Sequence, residues 1–143
     1  MIAPGGQQAS PDSRTLVEVR IPASAAQISS VRVVAADLAA RQDFDIDAVS
    51  DLRMAVDEAC ATLVPLAAPG STLSCRFLAG ADLFEVVATV PVTDGAQVPQ
   101  NTFGWRVLAT LTDDVEALTI DAAEGGHQAI GIRLCLRRGR VDG

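Results

Sequence analysis

The segment from 47 to 63, DAVSDLRMAVDEACATL, carries the clearest structural pattern in the sequence. Its spacing predicts one helix, with Asp47 as the N-cap residue whose side chain accepts a hydrogen bond from the first turn. At 3.6 residues per turn its apolar side chains fall in one stripe, formed by Val49, Leu52, Val56, Ala59 and Leu63. This stripe is predicted to face the core.

A second stripe runs along the margin of that apolar face. Asp51, Ala55, Glu58 and Thr62 share it, because they are spaced i, i+4, i+7 and i+11. A carboxylate and a hydroxyl one turn apart at the edge of a core can hold a metal-bound water or polarise a hydroxyl. From the spacing alone, however, Glu58 is more simply interpreted as an acidic side chain on a helix surface.

The segments around this helix predict the rest of the architecture. Ser24 and Gln27 form a capping-box pattern at the start of an earlier helix. Strands are predicted at 14–21, 72–79, 83–90, 115–120 and 129–136, a hairpin turn at 80–82, a long loop at 91–104 and a short helix at 105–111. The order predicts an α/β fold, a two-layer sandwich with a mixed or antiparallel sheet and helices on one face.

The length and the chain ends predict one domain. A chain of 143 residues suits a single core, and we place it at 14–137. Residues 1–13 are predicted to form a disordered arm, and 138–143 a basic flexible tail. The N-terminus lacks the pattern of a signal peptide, and no apolar run approaches the ~18 residues that a bilayer crossing needs. We therefore expect a cytoplasmic protein that binds no membrane.

Composition excludes several functional classes. The net charge is -7 and all eleven basic residues are arginine, so direct nucleic-acid binding is disfavoured and a basic partner is favoured. No lysine is present to bind phosphate. Cys60, Cys75 and Cys135 lack metal-ligand spacing and are interpreted as small core residues. His127, in a Gly-Gly-His turn, is interpreted as a solvated loop residue.

Two short strings resemble a known family. The string LRMAVDEA at 52–59 resembles the N-box helix of the anti-sigma-factor serine kinases, which belong to the Bergerat-fold, histidine-kinase-like ATPases. The string LATLTDDVE at 108–116 resembles the helix-to-strand segment after that family's second glycine box. With the matching element order, the resemblance covers 15–136 and is closest to the RsbW-like regulators of the actinobacterial anti-sigma-F branch.

The resemblance implies roles for individual residues. Glu58 matches the family's general base, and Thr62 stands where the family has the asparagine that coordinates Mg²⁺. Asp94 and Gly95 are the nearest match to the first glycine box, whose aspartate binds adenine, but the following glycine spacing is absent. A threonine hydroxyl is a poorer Mg²⁺ ligand than an amide carbonyl. The resemblance therefore implies ATP and Mg²⁺ as cofactors. These departures from the family pattern weaken the expectation that either binds.

The second glycine box departs further. In the family it is glycine-rich so that backbone N–H groups can surround phosphates. Here the segment NTFGW at 101–105 keeps only Gly104, and Arg106 is the nearby cation. Phe103 and Trp105 have three interpretations: they fill the region where a lid would close over ATP, they form a partner-binding surface, or they pack in the core.

The resemblance implies an anti-sigma factor that sequesters an alternative sigma factor of the stress or sporulation type. It would be released by an anti-anti-sigma factor, and a homodimer is left open. The alternative is an active serine kinase that phosphorylates the anti-anti-sigma factor from ATP. A third interpretation is an unrelated small α/β domain whose helix resembles an N-box by chance.

Overall fold

A computed structural model describes residues 14–93, 95–121 and 128–138, which form one sheet and three α-helices. The strands are β1 (Thr15–Pro22), β2 (Thr72–Ala79), β3 (Leu83–Pro91), β4 (Asp114–Ile120) and β5 (Ala129–Arg137). The helices are α1 (Ile28–Arg41), α2 (Ile46–Leu63) and α3 (Phe103–Leu111), with 3-10 turns at Ala25–Gln27 and Val64–Leu66. None of the helices in these ranges has the length and apolar character that a bilayer crossing requires.

The two-layer α/β architecture is confirmed, and of the two sheet types left open the sheet is antiparallel rather than mixed. The strand order is β1-β2-β3-β5-β4, and each neighbouring pair in it is antiparallel. The tight turn at 80–82 reverses the chain between β2 and β3, as predicted. The chain then passes through α3 and β4 before β5 returns between β3 and β4, so the five described strands make no parallel pair.

The sheet buries one face against the helices. Inward positions of β2 and β3 alternate with outward ones, and Phe77 and Phe84 are fully buried. The two rings meet edge to face with centroids 6.3 Å apart, and Phe44 packs in the same way on Phe84 at 6.1 Å. Three of the four phenylalanines therefore form one core cluster, while Phe103 remains 77% exposed.

Helix α2 lies where the pattern predicts, but it begins earlier. Asp45, rather than Asp47, is the N-cap: its Oδ1 accepts a hydrogen bond from the Ala48 N–H at 2.8 Å. Asp47 lies instead in the first turn, where its charge favours the helix dipole. Of the predicted stripe, four residues are buried and Val49 is partly buried. The four are Leu52, Val56, Ala59 and Leu63.

The predicted capping box before α1 does not form. A 3-10 turn at Ala25–Gln27 precedes the helix, and the Ser24 side chain makes no capping hydrogen bond. Gln27 is itself the residue before α1, so it cannot occupy the third helical position that a capping box requires. The short turn therefore replaces the predicted cap.

The cysteines are buried and free, as predicted. The Cys60 and Cys75 sulfurs lie 4.0 Å apart, joining α2 to β2 inside the core. The hydrogen bond with Cys75, together with burial, raises the pKa of the Cys60 thiol. Burial also raises the pKa of Cys135. Both shifts favour the neutral thiols, which suits their interpretation as small core residues.

The sequence places Arg138 in the flexible tail, but its side chain is instead bonded to two connections, one between α1 and α2 and one between β2 and β3. Its guanidinium donates hydrogen bonds to the backbone carbonyls of Gln42, Asp43 and Ala81. It also stacks on Phe44, with its central carbon 4.9 Å from the ring centroid. These acceptors are distant in sequence, so no local pattern could have revealed them. Residues 1–13 and 139–143, predicted as arm and tail, lie outside the described residues, as does His127.

Replacing Arg138 by alanine is expected to lower the free energy of unfolding by about 1–3 kcal/mol, because charged hydrogen bonds and a cation–π contact are lost. The matched control is Arg137→Ala, whose side chain is exposed and whose backbone N–H still donates to Asp113. It should change stability by no more than about 0.5 kcal/mol. Urea unfolding measures both. Equal effects of the two substitutions would contradict a stabilising role for the Arg138 side-chain contacts.

Candidate functional site

Helix α2 brings Glu58 and Thr62 together, as their spacing predicts. Both side chains are partly buried, and the Thr62 hydroxyl donates a hydrogen bond to Glu58 Oε2 at 3.3 Å. Ala55, one turn earlier on the same stripe, is fully buried, while Asp51 is partly buried. The stripe thus lies at the margin of the core, with its carboxylate and hydroxyl groups still reachable from solvent.

The start of α3 lies against this pair. The helix begins at Phe103, two residues before the predicted start, because Thr102 acts as its N-cap. The Thr102 hydroxyl accepts a hydrogen bond from the Trp105 N–H at 3.1 Å. Gly104 follows in the first turn, and a Cβ placed on it would overlap Glu58 Oε2. The candidate site therefore consists of Glu58 and Thr62 on α2 and Gly104 on α3.

The other predicted site residues are not joined to this group by any described contact. Arg106 is exposed on α3, and among the described residues its guanidinium makes no hydrogen bond or ion pair. Gly95 occupies a turn with φ of +72°, a left-handed conformation that favours glycine. Asp94, the predicted adenine-binding residue, lies outside the described residues.

The segment before α3, predicted as a long loop, is anchored to the core. Two of its own residues, Val92 and Val98, are buried, with 1% and 7% of their surface exposed. Sequence periodicity could not identify them, because isolated apolar residues in an irregular segment form no repeating pattern. This anchoring fixes the path of the chain that leads to Thr102 and Gly104.

The two aromatic residues of this region have different environments. Trp105 is partly buried and packs against the core, which agrees with the packing interpretation. Phe103 is 77% exposed, so its ring is available to solvent or to another protein. Large exposed aromatic rings are typical of interaction surfaces. A contact role for Phe103 remains a prediction, and so does a lid-filling role for the pair.

Two cavities of about 510 Å³ each lie at the opposite end of α2. One is lined by Asp45, Asp51 and Thr110, among others, and the other includes Ile46 and Val49. Neither is lined by Glu58, which is seven residues beyond Asp51, about 10 Å along the helix axis. These cavities therefore do not enlarge the site predicted from the sequence.

The residues at the site fit Mg²⁺ poorly. Within the described ranges, no three Cys, His, Asp or Glu side chains are grouped as metal ligands. The site offers one carboxylate, and the Thr62 hydroxyl already directs its proton to that carboxylate. Mg²⁺ requires near-octahedral oxygen ligands and is usually held by carboxylates together with substrate phosphates. The donor set is therefore incomplete for a bound magnesium ion.

Comparison with known proteins identifies the family. Residues 21–130 match the family described as the histidine kinase-like ATPase domain. The chain is 33% identical over 121 residues to the anti-sigma-F factor RsbW of Mycobacterium tuberculosis, covering 79% of this chain and 72% of that relative. It is 24% identical over 124 residues to serine-protein kinase RsbW of Bacillus cereus, covering 71% and 76% respectively.

These matches agree with the element order and the antiparallel sheet. They confirm the resemblance carried by the strings at 52–59 and 108–116, and they dismiss a chance likeness. The chain belongs to the histidine kinase-like ATPase domain family, among the relatives of the RsbW anti-sigma factors.

Proposed function

We propose that this chain is an anti-sigma factor that binds and sequesters an alternative sigma factor of the stress or sporulation type. An anti-anti-sigma factor releases it. The observation that carries the proposal is the 33% identity to an anti-sigma-F factor, which extends over 79% of the chain and includes α2 and α3. The proposal places the protein in the cytoplasm, with the transcription machinery.

Charge supports a basic partner. The chain carries a net charge of -7, and sigma factors present basic faces to DNA. Complementary charge accelerates association and selects partners, and its effect weakens as salt screens it. The same negative charge disfavours direct contact with nucleic acid, so the chain would regulate transcription through protein contacts alone.

We further propose that the nucleotide site is degenerate. Thr62 replaces the Mg²⁺-binding amide, Gly104 alone remains of the second glycine box, and no lysine is available. The overlap of the Gly104 Cβ position with Glu58 places a negative charge at the start of α3, where the family's phosphates are expected. Without a well-held cation between them, a carboxylate and a polyphosphate repel each other.

The alternative function is an active serine kinase for the anti-anti-sigma factor. Two observations favour it: Bacillus relatives carry the name serine-protein kinase, and Glu58 and Thr62 lie together on α2. In that case Glu58 would accept the proton of the attacking serine hydroxyl. The two proposals share the sigma-binding role and differ in whether ATP is used.

Mg-ATP at millimolar concentration is expected to leave the melting temperature unchanged, because the Mg²⁺ and phosphate ligands are incomplete. A functional site at a hundred times its Kd would add about 2.7 kcal/mol, a rise of roughly 5–10 °C for a domain of this size. Thermal unfolding with Mg-ATP, and with magnesium chloride alone as the control, measures the difference. A rise specific to Mg-ATP would contradict degeneracy and favour the kinase.

If phosphate transfer to an anti-anti-sigma factor is detected, Glu58→Ala is expected to abolish it while leaving sigma binding within about twofold. The reason is that Glu58 is the carboxylate at the site margin, with Thr62 bonded to it. Transfer is measured with radiolabelled ATP, and binding by calorimetry on the same preparations. Undiminished transfer by Glu58→Ala would dismiss the catalytic role of this residue.

Phe103→Ser is expected to weaken sigma-factor binding at least about tenfold, because an exposed aromatic ring at an interface commonly contributes more than 1.4 kcal/mol. Ile46→Ser is the matched control, since Ile46 is also a large apolar residue, 84% exposed, on the other end of α2. Its affinity should stay within about twofold. Alternative sigma factors of the source genome are tested singly; unchanged affinity with Phe103→Ser would remove Phe103 from the interface.

A further inference from the structure

The backbone conformation of Gly104 does not itself require glycine. Of the described glycines only Gly70 and Gly95 have positive φ, so Gly104 does not require the left-handed region. It lies inside the first turn of α3, where alanine is a better helix former than glycine. A reason other than backbone conformation must therefore account for the glycine.

The reason lies in the space beside its Cα. A Cβ built there would overlap Glu58 Oε2 and would lie 3.2 Å from Glu58 Cδ. The next nearest atom is the Thr102 hydroxyl, at 3.8 Å, which is an ordinary contact distance. The absent methyl group thus leaves room for one particular group, the carboxylate of Glu58.

The carboxylate of Glu58 lies between α2 and the first turn of α3. Thr62 donates a hydrogen bond to Glu58 Oε2 at 3.3 Å from the α2 side. On the other side lies the first turn of α3 at Gly104, with the positive end of its dipole. Helix α3 has no acidic residue of its own in that turn, so Glu58 supplies the negative charge from a neighbouring helix.

We propose that Gly104 is a positioning residue for Glu58: its missing side chain allows the carboxylate to contact the first turn of α3 and locks α3 against α2. The lock fixes Trp105, whose N–H is bonded to Thr102 in the same turn. The significance of this lock for ligands rests on the alternative proposed function, the serine kinase, since only there would Glu58 meet a nucleotide and a serine.

The chain contains a built-in reporter of this contact. Trp105 is its single tryptophan, so intrinsic fluorescence comes from the first turn of α3 alone. The ring is partly buried, and a small movement of α3 changes its exposure to solvent. Emission wavelength and acrylamide quenching therefore follow the lock without any ligand.

The test is a double-mutant cycle with Glu58→Ala, Gly104→Ala and the double variant. Because a Glu side chain can rotate away from an added methyl group, Gly104→Ala is expected to fold and to displace the carboxylate. Each single substitution should shift Trp105 emission, and Glu58→Ala should raise the equilibrium constant of unfolding by about two- to fivefold, the usual effect of losing a carboxylate at a helix start. Gly104→Ala should favour the folded state more in the Glu58→Ala background than in the unsubstituted chain, because there alanine gains its helix propensity without displacing a carboxylate.

Two further variants separate positioning from general damage. Glu58→Asp retracts the carboxylate by one methylene, so Gly104→Ala in that background should leave the emission of Glu58→Asp unchanged. Ala109→Gly, an exposed site on α3, should combine additively with Glu58→Ala. Additive effects of Glu58→Ala and Gly104→Ala, or unchanged Trp105 emission in Gly104→Ala, would overturn the proposal. No ligand enters this cycle, so its outcome is independent of whether a sigma factor binds.

Discussion

The packing of α2 on the inner face of the sheet is the constraint on which the rest of the structure depends. Leu52, Val56 and Leu63 are fully buried there, and each large apolar side chain contributes roughly 1.5–3 kcal/mol when removed from water. This burial fixes the rotation of the helix about its axis. Once that rotation is fixed, Glu58 and Thr62 can only point to the margin, where α3 begins.

The same rotation explains why each side of α2 contacts a different part of the structure. Its inner side joins the sheet, including the Cys60–Cys75 contact, while Arg32 of α1 bonds Asp57 at 3.0 Å on the outer side. Glu58, between these sides, is left to face α3. An isolated surface ion pair such as Arg32–Asp57 stabilises little. The apolar stripe, not the charges, therefore determines where the candidate site lies.

Much of this was predictable from the sequence because periodicity is a local property. The α2 stripe, the hairpin at 80–82 and the Glu58–Thr62 pair all depend on spacings of four residues or fewer along one segment. The N-cap at Asp45 was missed because three aspartates, at 43, 45 and 47, compete at that turn and differ only in backbone geometry. Local patterns cannot rank them.

What could not be predicted depends on contacts between distant segments. Arg138 donates hydrogen bonds to carbonyls of residues nearly one hundred positions earlier. Because every residue has a backbone carbonyl, the sequence does not indicate which ones accept. The Gly104–Glu58 contact also joins separate helices, so the sequence could not reveal it. The sequence predicted a phosphate-binding loop at this glycine, and the structure places the Glu58 carboxylate beside it. The resemblance to the family predicts a phosphate-binding role for this region, and that role stays a prediction, while the structure adds the contact with Glu58.

We propose an acidic family member that sequesters a sigma factor and has a degenerate nucleotide site. Transcription by RNA polymerase with the bound alternative sigma factor tests this most directly, as the chain is titrated with and without Mg-ATP. We predict complete inhibition at a stoichiometric amount of chain. The half-inhibitory concentrations with and without Mg-ATP should agree within about twofold. Absence of inhibition, or inhibition that depends strongly on Mg-ATP, would contradict this proposal.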